Sequence, residues 1–185
     1  MEFIVIVILL LVVGLFAVLL YNGLVQARLA VQEGWSAVLV QLQRRGNLIP
    51  NLVETVRGYA SHERTTFDNV TRARAQLQSA STPAVAAEAN NALTGTLRSL
   101  FAVAEAYPDL KANQNFLDLQ RQLGDTEDKI SYARNFYNSR VLDYNTRIAS
   151  VPGVLLAGPF GFSSAEFFKG DKEALEPVNV SFSGS

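Results

Sequence analysis

The stretch FIVIVILLLVVGLFAVLLY, residues 3–21, contains nineteen residues and no charged side chain. An α-helix of that length can cross a hydrocarbon core of about 30 Å. A cleaved signal peptide would have a basic N-terminal region, a shorter apolar run and a small-residue cleavage site. Only Met1 and Glu2 precede this run, and no such site follows it cleanly. The stretch therefore predicts a retained single-span anchor that contacts membrane lipid through residues 3–21.

Basic residues follow the apolar run, at Arg28 and then at Arg44 and Arg45, whereas none precedes it. Positively charged segments that flank a span stay on the cytoplasmic side of the membrane. The sequence therefore favours a single-pass membrane protein whose C-terminal domain is cytoplasmic.

Beyond the span, apolar residues continue at helical spacing. Intervals of three, four and seven residues place side chains on one face of a helix. Two rows at seven-residue spacing form that face: Leu24, Val31 and Val38, and Arg28, Trp35, Leu42 and Ile49. The span is therefore expected to continue directly into a helix of a bundle.

Pro50 interrupts this pattern, because proline has no amide hydrogen to give to a helix interior. The apolar rhythm resumes within one turn, which predicts a kink or a very short break at Pro50 and free carbonyl groups near Gly46. The second segment is expected to continue to Leu77, with His62 on its surface. Arg44 and Arg45 are expected beside the bend as solvated or salt-bridged charges.

Two further helical segments follow. One opens after Pro83 and ends at the YPD sequence of residues 107–109, and the other shows apolar residues at regular spacing from Phe116 to Ile148. The predicted fold is all-α: an N-terminal transmembrane helix that continues into an antiparallel bundle of long helices, with an irregular C-terminal tail.

Residues 151–185 differ in composition, because they contain five of the twelve glycines and three of the six prolines. We expect a partly ordered tail, although VNVSFSGS at residues 178–185 could also add to a neighbour as an extended strand. The predicted organisation is a transmembrane anchor at residues 1–23, a helical bundle at residues 24–150 and this tail.

The composition excludes several kinds of chemistry. The chain has no cysteine, which excludes disulfides, thiolate metal sites and cysteine nucleophiles. His62 is its only histidine, so a Ser-His-Asp triad or a histidine metal site has no support. Sixteen basic residues balance seventeen acidic ones without a basic block, which argues against nucleic acid as a partner. No enzyme class, cofactor or metal is predicted.

Four carboxylates lie near the apolar faces: Glu54, Glu63, Glu105 and Glu127. Glutamates on facing helices can hold metals, but the Glu-x-x-His pair of di-iron bundles is absent from the sequence. Salt bridges or polar contacts are therefore expected, with the arginines of the bundle segments: Arg72, Arg74, Arg121 and Arg134.

The dipeptide Tyr-Asn occurs twice on one helix face, at Tyr137–Asn138 and at Tyr144–Asn145. A buried tyrosine hydroxyl needs a hydrogen-bond partner, and an asparagine beside it can reach a backbone group or another helix. We therefore expect a structural role for all four residues.

Long strings of this sequence closely resemble the LemA family of bacterial membrane proteins between about Tyr21 and Phe162. They include QLQRRGNLIPNLVETVRGYA at residues 41–60 and AYPDLKANQNF at residues 106–116. Many members carry a lipid-attachment cysteine where this chain has LLYNG. The resemblance implies a membrane-tethered helical domain without an established reaction. It also marks family-motif positions, for which we expect structural roles: Arg44, Arg45, Pro50, Asn51, Tyr107, Pro108 and Lys111.

A relative in this family acts in forming magnetosome membranes, and members are sometimes associated with membrane metalloproteases. The resulting hypothesis is a non-enzymatic, membrane-anchored scaffold that forms homo-oligomers or recruits such a partner, and that organises or shapes membrane. The alternative is a sensor domain that binds a small ligand or metal between its helices, through Glu54, Glu105 or Glu127 and the tyrosines.

Overall fold

The computed structural model describes residues 1–169 of the 185-residue chain. Within these residues the secondary structure is entirely helical, which confirms the predicted all-α class. The strand suggested for residues 178–185 lies outside the described residues. The helices are α1 (Glu2–Arg57), α2 (Arg64–Ser79), α3 (Pro83–Glu105), α4 (Pro108–Lys111), α5 (Gln114–Ala149) and α6 (Val154–Ala157).

Helix α1 is a single helix of 56 residues, about 84 Å long at 1.5 Å per residue. Its first third is apolar and long enough to cross a membrane, and none of the residues in that window is buried against the rest of the protein. The helix continues without interruption from this apolar run into the bundle, as the sequence predicted.

Of the two alternatives predicted at Pro50, a kink or a very short break, the break does not occur, because α1 passes through that residue and ends at Arg57. Proline at this position leaves the carbonyl oxygen of Gly46 without its usual helical donor. The Nε of Arg74 on α2 donates to that oxygen over 2.7 Å. A side chain from the neighbouring helix therefore replaces the missing backbone hydrogen bond.

The chain reverses direction at residues 58–63 instead. Gly58 caps α1, and the amides of Tyr59 and Ala60 both donate to the carbonyl of Val56, at 3.0 and 2.9 Å. The predicted continuation of one helix through this region is therefore wrong. His62 lies exposed in the turn rather than on a helix. The apolar rhythm persisted across the turn because Ala60 is itself buried.

Helices α1 and α5 form the most extensive helix pair and run antiparallel. They approach closely at Gly34, where an added Cβ atom would lie 3.1 Å from the Cα of Tyr137. Beyond this crossing, α2 and α3 form a hairpin against the far end of the pair. The hairpin and the pair share fully buried side chains, among them Leu52, Val70 and Leu93.

Side-chain caps fix the starts of two helices. The Thr82 hydroxyl accepts from the amide of Val85 at the start of α3, where Pro83 takes the first helical position. The Asn113 carboxamide oxygen accepts from the amide of Phe116 at the start of α5. Both caps satisfy amides that have no partner inside the helix.

After α5 the chain turns back along the bundle. We call residues 151–162, which include α6, the base loop, and residues 163–169 the strap. The base loop packs beside residues 17–24 of α1. The strap is neither helix nor strand, and it is extended, because Ala165 and Phe168, three residues apart, bind Asn145 and Asn138, which are seven residues apart on α5. The tail is irregular, as predicted, but through Lys169 it lies against the bundle, and Phe168 is only 1% exposed.

Candidate functional site

Arg45 occupies the centre of the bundle. It continues the seven-residue row of Leu24, Val31 and Val38, and the next position in the row is Leu52. All the neighbours in that row are apolar and buried, and Arg45 itself is 4% exposed. The row therefore places a permanently charged side chain where the sequence pattern calls for an aliphatic one.

Three polar side chains surround the Arg45 guanidinium. Nη1 donates to Asn90 Oδ1 over 2.6 Å, and Nη2 donates to Thr94 Oγ1 over 3.0 Å. Nη1 also forms an ion pair with Glu127 on α5. Burial lowers the pKa of Arg45, and the Glu127 carboxylate acts in the opposite direction. The cluster thus connects α1, α3 and α5 through one cation.

Apart from Glu127 Oε2, which takes part in the ion pair, two buried polar atoms near this cluster have no hydrogen-bond partner within residues 1–169. They are Nε of Arg45 and Oε1 of Gln41, one helical turn earlier on α1. Buried polar groups are usually paired, often through an ordered water. The cluster is therefore polar enough to hold water beside the ion pair, although its main contacts are internal.

The two Tyr-Asn pairs of α5 bind the strap. Asn145 Nδ2 donates to the Ala165 carbonyl over 3.0 Å, and the Ala165 amide donates to Asn145 Oδ1 over 2.8 Å. Asn138 makes the same pair of bonds with the backbone of Phe168, both at 2.9 Å. Each asparagine therefore pairs with the strap backbone much as a neighbouring β-strand would.

The tyrosines complete this ladder. The Tyr137 hydroxyl donates to the Glu166 carbonyl over 2.6 Å, and the Tyr144 hydroxyl donates to the Ser163 carbonyl over 2.9 Å. Burial raises the pKa of Tyr137, and the negative charge of Glu166 adds to the effect. Burial also raises the pKa of Tyr144, and the positive charge of Arg28 opposes that rise. Both hydroxyls are therefore held in their neutral, donating form.

The end of the strap is anchored by aromatic packing. The ring of Trp35 lies 5.6 Å from that of Tyr137 and 6.4 Å from that of Phe168, measured between centroids. Rings at these separations attract one another beyond the area they bury. Trp35 is the only tryptophan of the chain, so its fluorescence reports on strap binding.

An open groove runs along the other side of the α1–α5 pair and has a volume of about 880 Å³. Ala37 and Val40 of α1 and Tyr132 and Phe136 of α5 give it an apolar surface. Two of these side chains are largely exposed: Tyr132 at 76% and Val40 at 58%. We call this the outer groove. Its rim carries Asp125, Asp128 and Lys129.

The structure separates most of the other sequence-predicted site residues. Glu127 contacts Arg45 rather than any of the four expected arginines, while Arg74 binds a backbone carbonyl and Arg121 pairs with Asp118. Glu63 and Tyr107 are partly buried. The remaining positions are exposed and do not converge: Arg44, Pro50, Asn51, Glu54, Glu105, Pro108 and Lys111. No group of three or more metal-ligating side chains occurs among the described residues.

Several residues that the structure shows to be buried or hydrogen-bonded were not identified from the sequence. Asn90 and Thr94 on α3 lie one turn apart and could have been recognised as a polar interruption of that helix's apolar face. Phe168 follows Gly and Pro residues that suggested an irregular tail, and no local pattern indicates its burial. The outer groove had no sequence signal, because exposed apolar residues are common on helix surfaces.

The fold places this chain among helical-bundle proteins with a long apolar N-terminal helix, and this helix suggests membrane anchoring. The sequence model of the LemA family matches residues 34–182. The chain belongs to the LemA family. The matched range extends beyond the bundle and includes the base loop and the strap, so both are part of the family domain.

Individual relatives are distant. Magnetosome protein MamQ 2 of Paramagnetospirillum magneticum is 28% identical, over 90% of this chain and 73% of the relative. Magnetosome protein MamQ of Magnetospirillum gryphiswaldense is 26% identical, over 85% of this chain and 69% of the relative. Protein LemA of Metamycoplasma hominis is 24% identical, over 69% of this chain and 58% of the relative.

Proposed function

We propose that this LemA-family protein is a single-pass, membrane-anchored scaffold without enzymatic activity, which self-associates and thereby organises or shapes membrane. The outer groove is the observation that carries this proposal. In contrast, the conspicuous polar residues of the bundle are engaged in internal contacts: Arg45 with its three partners, and the Tyr-Asn pairs with the strap. These polar residues are therefore occupied, and the apolar surface of the outer groove is what the described domain offers to a partner.

The outer groove favours a second copy of the chain as its occupant. Its floor is apolar, and its rim places Lys129 beside Asp125 and Asp128. In a two-fold pair the same surface meets itself, so the lysine of each copy can face the carboxylates of the other. Anchored copies also share one orientation and a raised effective concentration, which lowers the affinity that pairing requires.

The relatives support a role at membranes, since two of them are named as magnetosome proteins. By analogy, we propose that self-association of this protein takes place on a membrane surface. A membrane metalloprotease remains a proposed additional partner.

The cytoplasmic side is proposed for residues 24–185, because the basic residues lie on that side of the apolar run. Proteolysis in intact cells tests this, since a cytoplasmic domain is protected.

Disulfide trapping tests self-association directly, because the native chain has no cysteine. A Tyr132→Cys variant of the full chain in native membranes should form a covalent dimer upon mild oxidation. Leu142→Cys is the matched control, since Leu142 is similarly exposed, at 60%, on the same helix but outside the groove. Equal trapping at both positions, or none at Tyr132, would contradict pairing through the groove.

A second variant separates specific pairing from accidental collision. Amine cross-linking should trap dimers of the native chain. Val40→Asp places a charge on the groove floor and should abolish these dimers. Leu142→Asp adds the same charge outside the groove and should leave those dimers unchanged. If both substitutions act alike, the groove is not the contact surface.

A ligand-binding sensor is the second candidate, and one observation favours it. Gln41 borders the outer groove, and its Oε1 atom is buried without a partner among the described residues. A small ligand with a hydrogen-bond donor could satisfy that oxygen. Thermal-shift screening of the detergent-solubilised protein tests this, because a bound ligand raises the midpoint of unfolding. The gain should disappear in Gln41→Leu.

A further inference from the structure

The base loop has the composition of a membrane-contacting segment. Its residues 151–162, VPGVLLAGPFGF, contain no charged side chain. Four large apolar side chains of the loop are exposed: Val151 at 79%, Leu155 at 69%, Phe160 at 58% and Val154 at 44%. Contiguous apolar surface of this kind marks an interaction site on a folded domain.

The loop lies directly beside the apolar run of α1. Leu156 and Phe160 form a small apolar cleft with Ala17, Val18 and Tyr21. The ring of Tyr21 meets that of Phe160 edge-on, with centroids 5.1 Å apart. The apolar surface of the loop is therefore continuous with the surface of the helix that is proposed to enter the lipid.

The position of these contacts sets a depth. Residues 17–21 are the last five of the apolar run, and five helical residues span about 7 Å. A loop packed beside these residues therefore extends about 7 Å into the lipid, measured from the C-terminal end of the apolar run. Amphipathic elements that lie in the membrane interface enter by about 5–10 Å, so the two depths agree.

The residues just above the loop suit the headgroup region. Arg28 lies two turns beyond Tyr21 and is exposed. Arg147 lies in the last turn of α5, where it pairs with Asp143 and is still half-exposed. Aromatic rings are enriched at the membrane interface, and long basic side chains nearby can extend towards lipid phosphates. Tyr21 and Phe160 supply such rings at the level of the loop.

We propose that the base loop is a second membrane contact, in which Val151, Val154, Leu155 and Phe160 enter the leaflet from which α1 emerges. The bundle then sits with its base in the lipid interface instead of standing away from it on a single helix. Because the strap continues from this loop along α5, the inserted loop and the bundle form one connected unit. This inference rests on the proposed anchoring of residues 3–21.

Site-specific fluorescence can test the loop and the anchor separately. Single-cysteine variants of the cysteine-free full chain are labelled with an environment-sensitive dye at three positions: Leu155→Cys in the base loop, Val12→Cys in the apolar run and Ser61→Cys at the far end of the bundle. The proteins are placed in vesicles of phosphatidylcholine and phosphatidylglycerol, with or without nitroxide-labelled lipid. Circular dichroism and Trp35 emission verify the fold of each variant.

Insertion predicts that nitroxide lipid quenches the Val12 and Leu155 reporters several-fold more than the Ser61 reporter. A charged, membrane-impermeant maleimide should likewise react several-fold more slowly at Leu155→Cys than at Ser61→Cys before labelling.

Quenching at Val12 but not at Leu155 would overturn the inference and preserve the anchor. Absence of quenching at both positions would overturn both. A Leu155 reporter that is shielded from water yet not quenched would indicate a protein contact and would also overturn the inference.

Discussion

The two ends of the α1–α5 pair are covered by different kinds of structure. At the far end, the α2–α3 hairpin supplies two more helices and a shared apolar core. At the end next to the apolar run of α1, which we call the anchor side, the strap covers the pair as an extended chain and is held by the Tyr-Asn ladder. The same helix pair thus supports a four-helix arrangement at one end and a helix pair with an extended segment at the other.

The difference follows from how each covering element satisfies its backbone. A helix pairs its own amides and carbonyls, so an apolar stripe is sufficient to hold it against a neighbour. An extended segment leaves these groups open and needs partners for them. Asn138 and Asn145 provide those partners, because each carboxamide both donates and accepts. The far end thus depends on burial, and the anchor side depends on particular polar side chains.

The largest effect should come from the core of the far end. Leu93→Ala removes a side chain with no exposed surface, and truncation of a buried leucine typically costs about 2–5 kcal/mol. Urea unfolding monitored by circular dichroism measures the loss. The exposed control Leu142→Ala should change stability by less than about 0.5 kcal/mol. Similar losses for the two variants would show that the α2–α3 hairpin contributes little to the core.

The next largest effect should come from Arg45. It tests whether the far end depends on a buried polar cluster as well as on the burial of apolar side chains. Arg45→Met should destabilise the far end by about 2 kcal/mol, since it leaves buried partners unsatisfied. The side chain of Glu127 is 46% exposed and can turn to water, whereas Asn90 is 5% exposed and cannot. Most of the cost should therefore arise from Asn90.

A pair of double variants distinguishes these two partners. Arg45→Met combined with Asn90→Leu should recover most of the lost free energy of unfolding, because both members of a buried polar contact are then apolar. Arg45→Met combined with Glu127→Gln should recover little. The opposite order in urea unfolding would assign the cost to the ion pair with Glu127 instead.

Apolar periodicity accounts for how much of the fold the sequence could predict. The rows through Leu24 and Phe116 identified the faces of α1 and α5, because both helices bury one stripe against each other. Of the predicted kink or very short break at Pro50, the break is absent, and a local rule could not include Arg74, which comes from another helix to satisfy the freed carbonyl. The end of α1 at Gly58 was not predicted, because the apolar rhythm continues across the turn through the buried Ala60.

The candidate sites were less predictable. The Tyr-Asn pairs indicated buried hydroxyl groups that need a partner and asparagines that reach a backbone group or another helix. The identity of these partners depended on where the tail turns back. Arg45 could have been found by extending the row from Val38 by seven residues, yet its partners lie 45 and 82 residues further along the chain, at Asn90 and Glu127. Contacts of that sequence separation leave no periodic signal.

The asparagine ladder should give a local effect that leaves the far end unchanged. Asn138→Ala removes two hydrogen bonds to Phe168, each with a net value of about 0.5–1.5 kcal/mol. The opening free energy of the strap should fall by about 1–2 kcal/mol, measured by hydrogen exchange at the Phe168 amide and by a red shift of Trp35 emission. The exposed neighbour Asn135→Ala is the control. Equal destabilisation of the far-end core by Asn138→Ala would show that the two ends unfold as one unit.

The smallest effect is a pH dependence confined to the anchor side. The pKa values of Tyr137 and Tyr144 are raised in the folded protein, mainly by burial, so the folded state retains protons that the unfolded chain loses near pH 10. The stability that these tyrosines add is fully present below about pH 10 and is lost as the pH rises from there through their folded-state pKa values. Trp35 emission should therefore report release of the strap in alkaline solution before the far end unfolds.

A Tyr137→Phe/Tyr144→Phe variant should bind its strap less tightly at neutral pH, because two hydrogen bonds are missing, yet show a flatter alkaline response. Tyr132→Phe, which removes an exposed tyrosine, should retain the native profile. If the double variant releases its strap with the native steepness, the alkaline transition arises from other groups.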